Sequence, residues 1–283
     1  MDAAPVQFRE WRCRGRRLPL TRPLVMGVVN VTPDSFADGG KWFDEDYAVA
    51  HALELAEEGA DLLDIGGEST RPGASPVGED EECRRVLPVI RRVTAACDVP
   101  LSVDTRHAAV ARAAVAAGAC IVNKVTPFAG DAEMAAVVRE TGAGMVAMHM
   151  RGTPQTMAGL AVYGDVAGEV EEELRKALAF AAEQGILMEQ MVIDPGIGFA
   201  KDTAQNLTLL SATERFARLA PVLVGVSRKR FIGELCGEPL ASERLGGSIG
   251  AAVWCAMHGA AVVRVHDVKA TLQALTVVHA LMT

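Results

Sequence analysis

Eight times along the chain a short apolar run ends on or beside a polar residue and gives way to a longer segment rich in Ala, Glu and Arg. No other feature restricts the fold as tightly. The runs are LVMGVVN (24–30), ADLLDI (60–65), PLSVDT (100–105), CIVN (120–123), GMVAMHM (144–150), MVIDP (191–195), PVLVGVS (221–227) and AVVRVH (261–266). They read as strands, with helices expected near 46–58, 79–97, 106–118, 131–141, 165–184, 203–218, 242–258 and 267–281. This alternation is the rhythm of a parallel sheet. Eight units in 283 residues, half of them apolar, predict a single (β/α)8 TIM barrel, with an open doubly wound sheet as the alternative. The barrel is expected over residues 24–283. The preceding 1–23 form an extension in which FREWRCRGRRLPL (8–20) reads as a hairpin turning at Arg14-Gly15, with a solvated arginine face. No linker or low-complexity segment divides the chain, and no repeat exceeds the βα unit.

The formal charge of −8 and pI near 5.3 argue against general binding to nucleic acid or anionic membranes. No apolar stretch reaches the roughly 18 residues of a membrane span, and no secretory h-region opens the sequence, so a cytoplasmic protein is expected. The six cysteines are scattered without a C-x-x-C pair, which points to reduced thiols and not to zinc ligands or disulfides.

A barrel of this kind carries its active site where the strands end. The strand ends here are Asn30, Asp64, Asp104, Asn123, His149 and Asp194, then Lys229 just past the seventh strand, and Arg264 with His266 on the eighth. Capping of the next helix accounts for a lone Asp or Asn. It does not account for bases placed where helix N-termini begin. Converging carboxylates and amides suit a small heterocycle with N–H donors, and Arg264 and His266 suit an anion. The Asn30 carbonyl suits a hard cation such as the Mg²⁺ that accompanies a diphosphate. Neither G-x-x-x-x-G-K-[ST] nor G-x-G-x-x-G occurs, so a nucleotide cofactor has no specific support.

The segments MGVVNVTPDSFADGG (26–40), DIGGESTRPG (64–73), SVDT (102–105), MHM (148–150), DPGIGFAK (194–201), SRKRFIG (227–233) and RVHD (264–267) together resemble the dihydropteroate synthases of folate biosynthesis. The resemblance runs in order from about residue 24 to the C-terminus, one motif to each βα unit. It implies a homodimeric barrel that uses Mg²⁺ to join 6-hydroxymethyl-7,8-dihydropterin diphosphate to 4-aminobenzoate, with sulfonamides as inhibitors.

Carried over residue by residue, it implies a pterin site of Asp104, Asn123, Met148, Asp194, Phe199 and Lys229, with Arg264 stacked on the ring. Asn30 with Mg²⁺, Arg264, His266, Thr70 and Arg71 would hold the diphosphate. Phe36, Thr70, Pro72, Lys229 and Arg230 would flank the aminobenzoate. Asp104, Asp34, Thr70, Arg71 and Lys229 would serve the reaction itself, and Asp64 would anchor the base of a loop over 67–73. Two positions depart from the family pattern: Lys124 where an acid is expected, read as snorkelling outward, and Arg230 where Ser is common, read either as a partner of the aminobenzoate carboxylate or as a surface residue. The alternatives are a non-catalytic pterin-binding paralogue, a methyltetrahydrofolate–corrinoid methyltransferase, and a purely structural barrel.

Overall fold

The computed structural model of the chain describes residues 8–32, 45–69 and 73–282. Each of the eight apolar runs is a strand: β3 (Leu24–Asn30), β4 (Leu62–Gly66), β5 (Leu101–Asp104), β6 (Ile121–Lys124), β7 (Gly144–Met148), β8 (Met191–Asp194), β9 (Val222–Gly225) and β10 (Ala260–Val265). They pair in parallel in sequence order, and β10 returns to β3, so the sheet closes into a barrel and the open-sheet alternative is excluded. The helices between them are α1 (Glu45–Glu57), α2 (Glu79–Ala96), α3 (Ala108–Ala117), α4 (Ala132–Thr141), α5 (Val166–Glu183), α6 (Thr203–Ser211), α7 (Thr213–Ala217), α8 (Arg230–Cys236), α9 (Leu245–Met257) and α10 (Val268–Met282).

Two helical features differ from the sequence reading. The helix expected over 203–218 breaks at Ala212 into α6 and α7, and α8 is an additional helix that the sequence pattern does not announce. At seven residues α8 spans two turns, too few for a helical repeat to stand out from the glycines around it. Among the described residues no helix is long and apolar enough to cross a membrane.

Ahead of the barrel, β1 (Glu10–Cys13) and β2 (Arg16–Pro19) form the expected antiparallel hairpin. Arg14 and Gly15 both take positive φ, 47° and 81°, the backbone twist that a two-residue hairpin loop requires. The hairpin does more than the sequence reading gave it. Trp11 and Cys13 are fully buried in one cluster with Leu24, Met26, Leu62, Ile121, Val146, Val192, Leu223 and Val262, which makes it an apolar plug in the barrel floor. Trp11 Nε1 donates to Gln190 O at 2.8 Å. The arginine face is exposed, yet Arg14 and Arg16 bind the carbonyls of Val115 (2.6 Å) and Asp98 (2.8 Å), tying the plug to the helix ring.

That floor cluster also marks the lumen-facing parity of the barrel strands that contribute to it, all but β5. Side chains alternate in and out along a strand with a period of two. Leu62, Ile121, Val146, Val192 and Val262 belong to the floor, so Asp64, Asn123, Met148, Asp194 and Arg264, each two places further on, face the lumen one layer higher. The opposite set, among them Leu63, Val122, Met145, Ile193 and Val263, packs against the helices in the main core.

Candidate active site

Capping does not employ these strand-end acids. Gly78, His107, Asp131 and Asp202 hold the N-cap positions of α2, α3, α4 and α6, and the carboxylates of Asp131 and Asp202 take the first backbone N–H groups of their helices. Asp64, Asp104 and Asp194 are left to face one another's neighbours across the lumen.

Arg264 bridges the first two acids. Its Nε donates to Asp64 Oδ2 at 2.6 Å and its Nη2 to Asp104 Oδ2 at 3.1 Å. Asn123 Nδ2 donates to the same Asp64 oxygen at 2.9 Å. Although burial works against its charge, Asp64 and Asp104 outweigh it and hold Arg264 a firm cation. One guanidinium thus serves two acids. Burial, and then the Asp64 carboxylate alongside, push Asp104 above the ordinary range, with Arg264 pulling it back. Asp64 Oδ1 is wholly buried with no hydrogen-bond partner among the described residues. The strand-end pattern puts Asp64 on the rim, while the family resemblance gives it only the task of anchoring a loop. The structure makes it a central member.

A second group lies beside the first. Asp194 is buried, and its Oδ1 accepts from Gly196 N at 2.7 Å. Burial raises its pKa, while Gly196 N–H and Lys229 lower it. Lys229 is pulled down to about 8 by burial, against the attraction of Asp194. Its Nζ donates to Ile197 O and sits 4.4 Å above the Phe199 ring. Phe199 packs on the cluster of Met148, Val125, Met150, Met157 and Ala200, so the two predicted apolar walls of the pocket do meet. His266 pairs with Ser227 Oγ at 3.0 Å through Nδ1, and Arg228 forks onto Asp267 at 2.7 and 3.2 Å, fixing the segment that leads into α8.

Three expectations are corrected. His149 is expected on the rim, but it is out of step with the lumen-facing parity and points to the helix layer, where it meets Lys201 and Glu173. Lys124 also points outward, yet it does not reach solvent: its side chain is 4 % exposed and lies 3.0 Å from Asp131, the cap of α4. Arg230 is on the outside of α8 with its side chain 87 % exposed and bound to Glu234, so it stands as a surface residue. Asn30 is half-buried at the end of β3, beside Gly66 of β4. Asp34, Phe36, Thr70, Arg71 and Pro72 lie outside the described residues.

Glu68, Glu82 and His107 approach within 4.8 Å of one another, a spacing that would suit a metal. Arg106, however, forks onto both oxygens of Glu68 at 2.9 and 3.1 Å, and Val77 N adds a third donor at 3.0 Å, so a guanidinium already takes the cation's place. Glu82 is fully buried beneath Gly67 and pairs with no lysine or arginine among the described residues, and burial pushes it up to about 7. We read this group as a brace under Gly67 and Glu68, just past the end of β4.

Residues 26–266, which take in the barrel strands apart from the first two residues of β3, match the family model described as pterin binding enzyme. The chain belongs to the pterin-binding enzyme family. Among its relatives, the dihydropteroate synthase of Synechocystis is 43 % identical over 261 residues, 92 % of this chain and 90 % of that one. The structure of Xanthomonas albilineans dihydropteroate synthase with 4-aminobenzoic acid superposes with a TM-score of 0.92 at 49 % identity, covering 98 % of this chain and 99 % of the other. The same organism's enzyme in complex with 7,8-dihydropteroate gives a TM-score of 0.88 at 47 % identity, with 97 % and 99 % covered. Asp64, Asp104 and Asp194, all buried, and the Asn123 amide line the lumen of this barrel.

Proposed function

We propose that this chain is a dihydropteroate synthase, condensing 6-hydroxymethyl-7,8-dihydropterin diphosphate with 4-aminobenzoate to give 7,8-dihydropteroate and diphosphate. The observation that carries the reading is the buried set Asp64–Arg264–Asp104 beside Asp194–Lys229, in a chain that matches relatives of this name along nearly their whole length. The synthase name of those relatives favours this activity over a methyltransferase or a non-catalytic paralogue.

In this reading Asp194 and Asn123 take the pterin edge, an acceptor-only carboxylate facing amino and ring N–H donors. Lys229, already turned toward Ile197 O and the Phe199 face, donates to the ring side that bears acceptors. The C–O bond to diphosphate breaks, leaving a methylene cation delocalised into the dihydropterin. The aminobenzoate nitrogen then forms the C–N bond and loses a proton. With Asp104 ionised, the two acids carry more negative charge than Arg264 cancels, and this layer would then stabilise a developing cation, an effect of about 3–4 kcal/mol per key group in other enzymes. Arg264 and His266 favour departure of the anion. No covalent nucleophile is required.

Mg²⁺ fits this site as a companion of the diphosphate. Asn30 offers one amide oxygen, and the only carboxylate–imidazole group at ligand spacing among the described residues is the one whose Glu68 is held by Arg106. Mg²⁺ accepts such an arrangement, because it keeps waters and phosphate oxygens as its other ligands. When bound it would neutralise charge on the leaving diphosphate.

We further assign a homodimer, supported by the apolar surface of α6, α8 and α9, where Leu207, Leu235 and Trp254 line a groove of about 330 Å³. The six free thiols support a cytoplasmic site. Sulfonamides, as mimics of aminobenzoate, should compete with it. Incubating the purified chain with the pterin diphosphate, 4-aminobenzoate and Mg²⁺ tests the reading: dihydropteroate should form, and its absence would overturn the assignment.

A further inference from the structure

The segment from β8 to α6, Asp194-Pro-Gly-Ile-Gly-Phe-Ala-Lys201, supplies three parts of the pocket: the Asp194 carboxylate, the Ile197 carbonyl that receives Lys229, and the Phe199 ring. It has no regular structure to hold it. Gly196, Gly198 and Ala200 take positive φ of 68°, 82° and 50°, so every second residue turns the chain against its usual preference. Something outside the backbone ladder has to fix this path.

Lys201 does so from the segment's own end. Its Nζ lies 3.0 Å from Gly196 O, 2.8 Å from Phe199 O and 3.0 Å from His149 Nδ1. Burial pulls Lys201 down to about 7, against the attraction of Asp194; in its protonated form the ammonium has three protons and no acceptor capacity, so these three acceptors saturate it. His149 Nδ1 must then present a lone pair, and the ring proton resides on Nε2, which faces Glu173 Oε2 at 3.0 Å in an oblique contact. Burial also favours the neutral imidazole. Glu173 is held in turn by Arg151 at 2.5 Å, and Arg151 lies 4.0 Å over the Tyr163 ring. The main chain of His149 closes the arrangement. Its N–H donates to Asp194 O at 2.8 Å, and a Cβ at Gly196 would fall 1.9 Å from its carbonyl oxygen, so the segment lies directly on it.

We infer that Lys201 is a positioning residue of the pterin pocket: its ammonium, oriented by neutral His149 and through it by Glu173, clamps the carbonyls of Gly196 and Phe199 and so sets Asp194, Ile197 O and Phe199 for the pterin. The inference rests on the synthase reading. Without the ammonium, Phe199 O loses its donor and Gly196 O keeps only Phe199 N at 3.1 Å, so the turn is left to that bond and to the one from Gly198 N to Asn206 Oδ1 at 2.7 Å. The damage should fall on the pterin and spare the aminobenzoate, because none of the clamped groups belongs to the aminobenzoate side.

The test compares Michaelis constants, not pH profiles, since Lys229 titrates in the same range as Lys201. Lys201→Met should raise KM for the pterin diphosphate about tenfold or more, the scale of a lost charged hydrogen bond, and leave KM for aminobenzoate within threefold. His149→Asn, whose amide oxygen can replace Nδ1 as the acceptor, should stay near wild type, while His149→Leu should behave like Lys201→Met. A pterin KM within threefold of wild type in Lys201→Met overturns the inference, and so does a parallel rise of both constants accompanied by a fall in Tm. If Lys201→Met does not fold, equal pterin KM values for His149→Asn and His149→Leu overturn it. If the wild-type chain makes no dihydropteroate, the functional reading itself falls, and calorimetric affinity for the pterin diphosphate across the same variants then decides the role of Lys201.

Discussion

Glu82→Gln should make the protein more stable at alkaline pH, an unusual direction for a change at a buried polar site. Glu82 is fully buried against Val86, Gly67 and Thr105, and the charged groups around it are Glu68, Glu79, Arg106 and His107. Burial raises its pKa from 4.5 to about 7, helped by Glu68 and Glu79 and opposed by the Thr105 hydroxyl and Arg106. The native state therefore keeps a proton that the unfolded chain has released between those two values. Stability from this group is fully present below pH 4.5 and is lost as pH rises to about 7. A shift of that size corresponds to about 3 kcal/mol at ~1.36 kcal/mol per unit. Glutamine keeps the shape and cannot ionise, so the loss disappears.

Urea unfolding of both proteins at pH 5 and pH 8.5 separates this effect from packing changes, which do not depend on pH. The difference in stability between the Glu82→Gln variant and wild type should grow by about 1–3 kcal/mol in favour of the variant from the lower to the higher pH, roughly 2–5 °C in Tm for a chain of this size. His107 Nε2 lies 4.0 Å from Glu82 Oε2, so the comparison is repeated in a His107→Gln background, where the gain should persist. A difference that is flat with pH in both backgrounds would show that Glu82 is ionised in the native state and that Arg106 serves both acids.

Arg264→Gln removes the one cation between Asp64 and Asp104 and should cost about 3–5 kcal/mol in denaturant unfolding, besides abolishing turnover; unchanged stability would mean that the two acids do not depend on it. Asp194→Asn puts a donor where pterin N–H groups arrive and should weaken pterin binding by about 1–3 kcal/mol; affinity within threefold of wild type would sink the assignment. Trp11→Ala opens the floor plug and should cost about 3–5 kcal/mol with kcat preserved, and a fall in kcat at equal stability would count against a purely structural hairpin. Aminobenzoate titrated alone should give little heat, with clear binding once diphosphate and Mg²⁺ are present; equal affinity in both conditions would exclude an aminobenzoate slot completed by the anion.

How far the site could be read from the sequence follows from the period of two within each strand. The eight strands and their polar ends stood out because each run is short, apolar and followed by a helix. Which polar residues face the lumen was equally present in the letters. Counting from the floor residues Leu62, Ile121, Val192 and Val262 gives Asp64, Asn123, Asp194 and Arg264, and the same count sends His149 and Lys124 outward. Asp64 was undervalued because position was weighed without that parity.

The count cannot reach Lys201 or Glu82. Both lie off the strands, one after a loop of alternating positive φ and the other on the first turn of α2, and their partners are backbone carbonyls or neighbours distant in sequence. A carbonyl has no identity in a sequence, so a lysine whose role is to hold two of them looks like any surface lysine. It becomes legible only when the path of 194–201 is known and its unpaired acceptors are counted. The same reasoning explains Arg230: a guanidinium next to Lys229 looks like a second pocket base, but α8 begins at Arg230, just after the extended Lys229, and Glu234, one turn on, takes the guanidinium up on the exposed side of the helix.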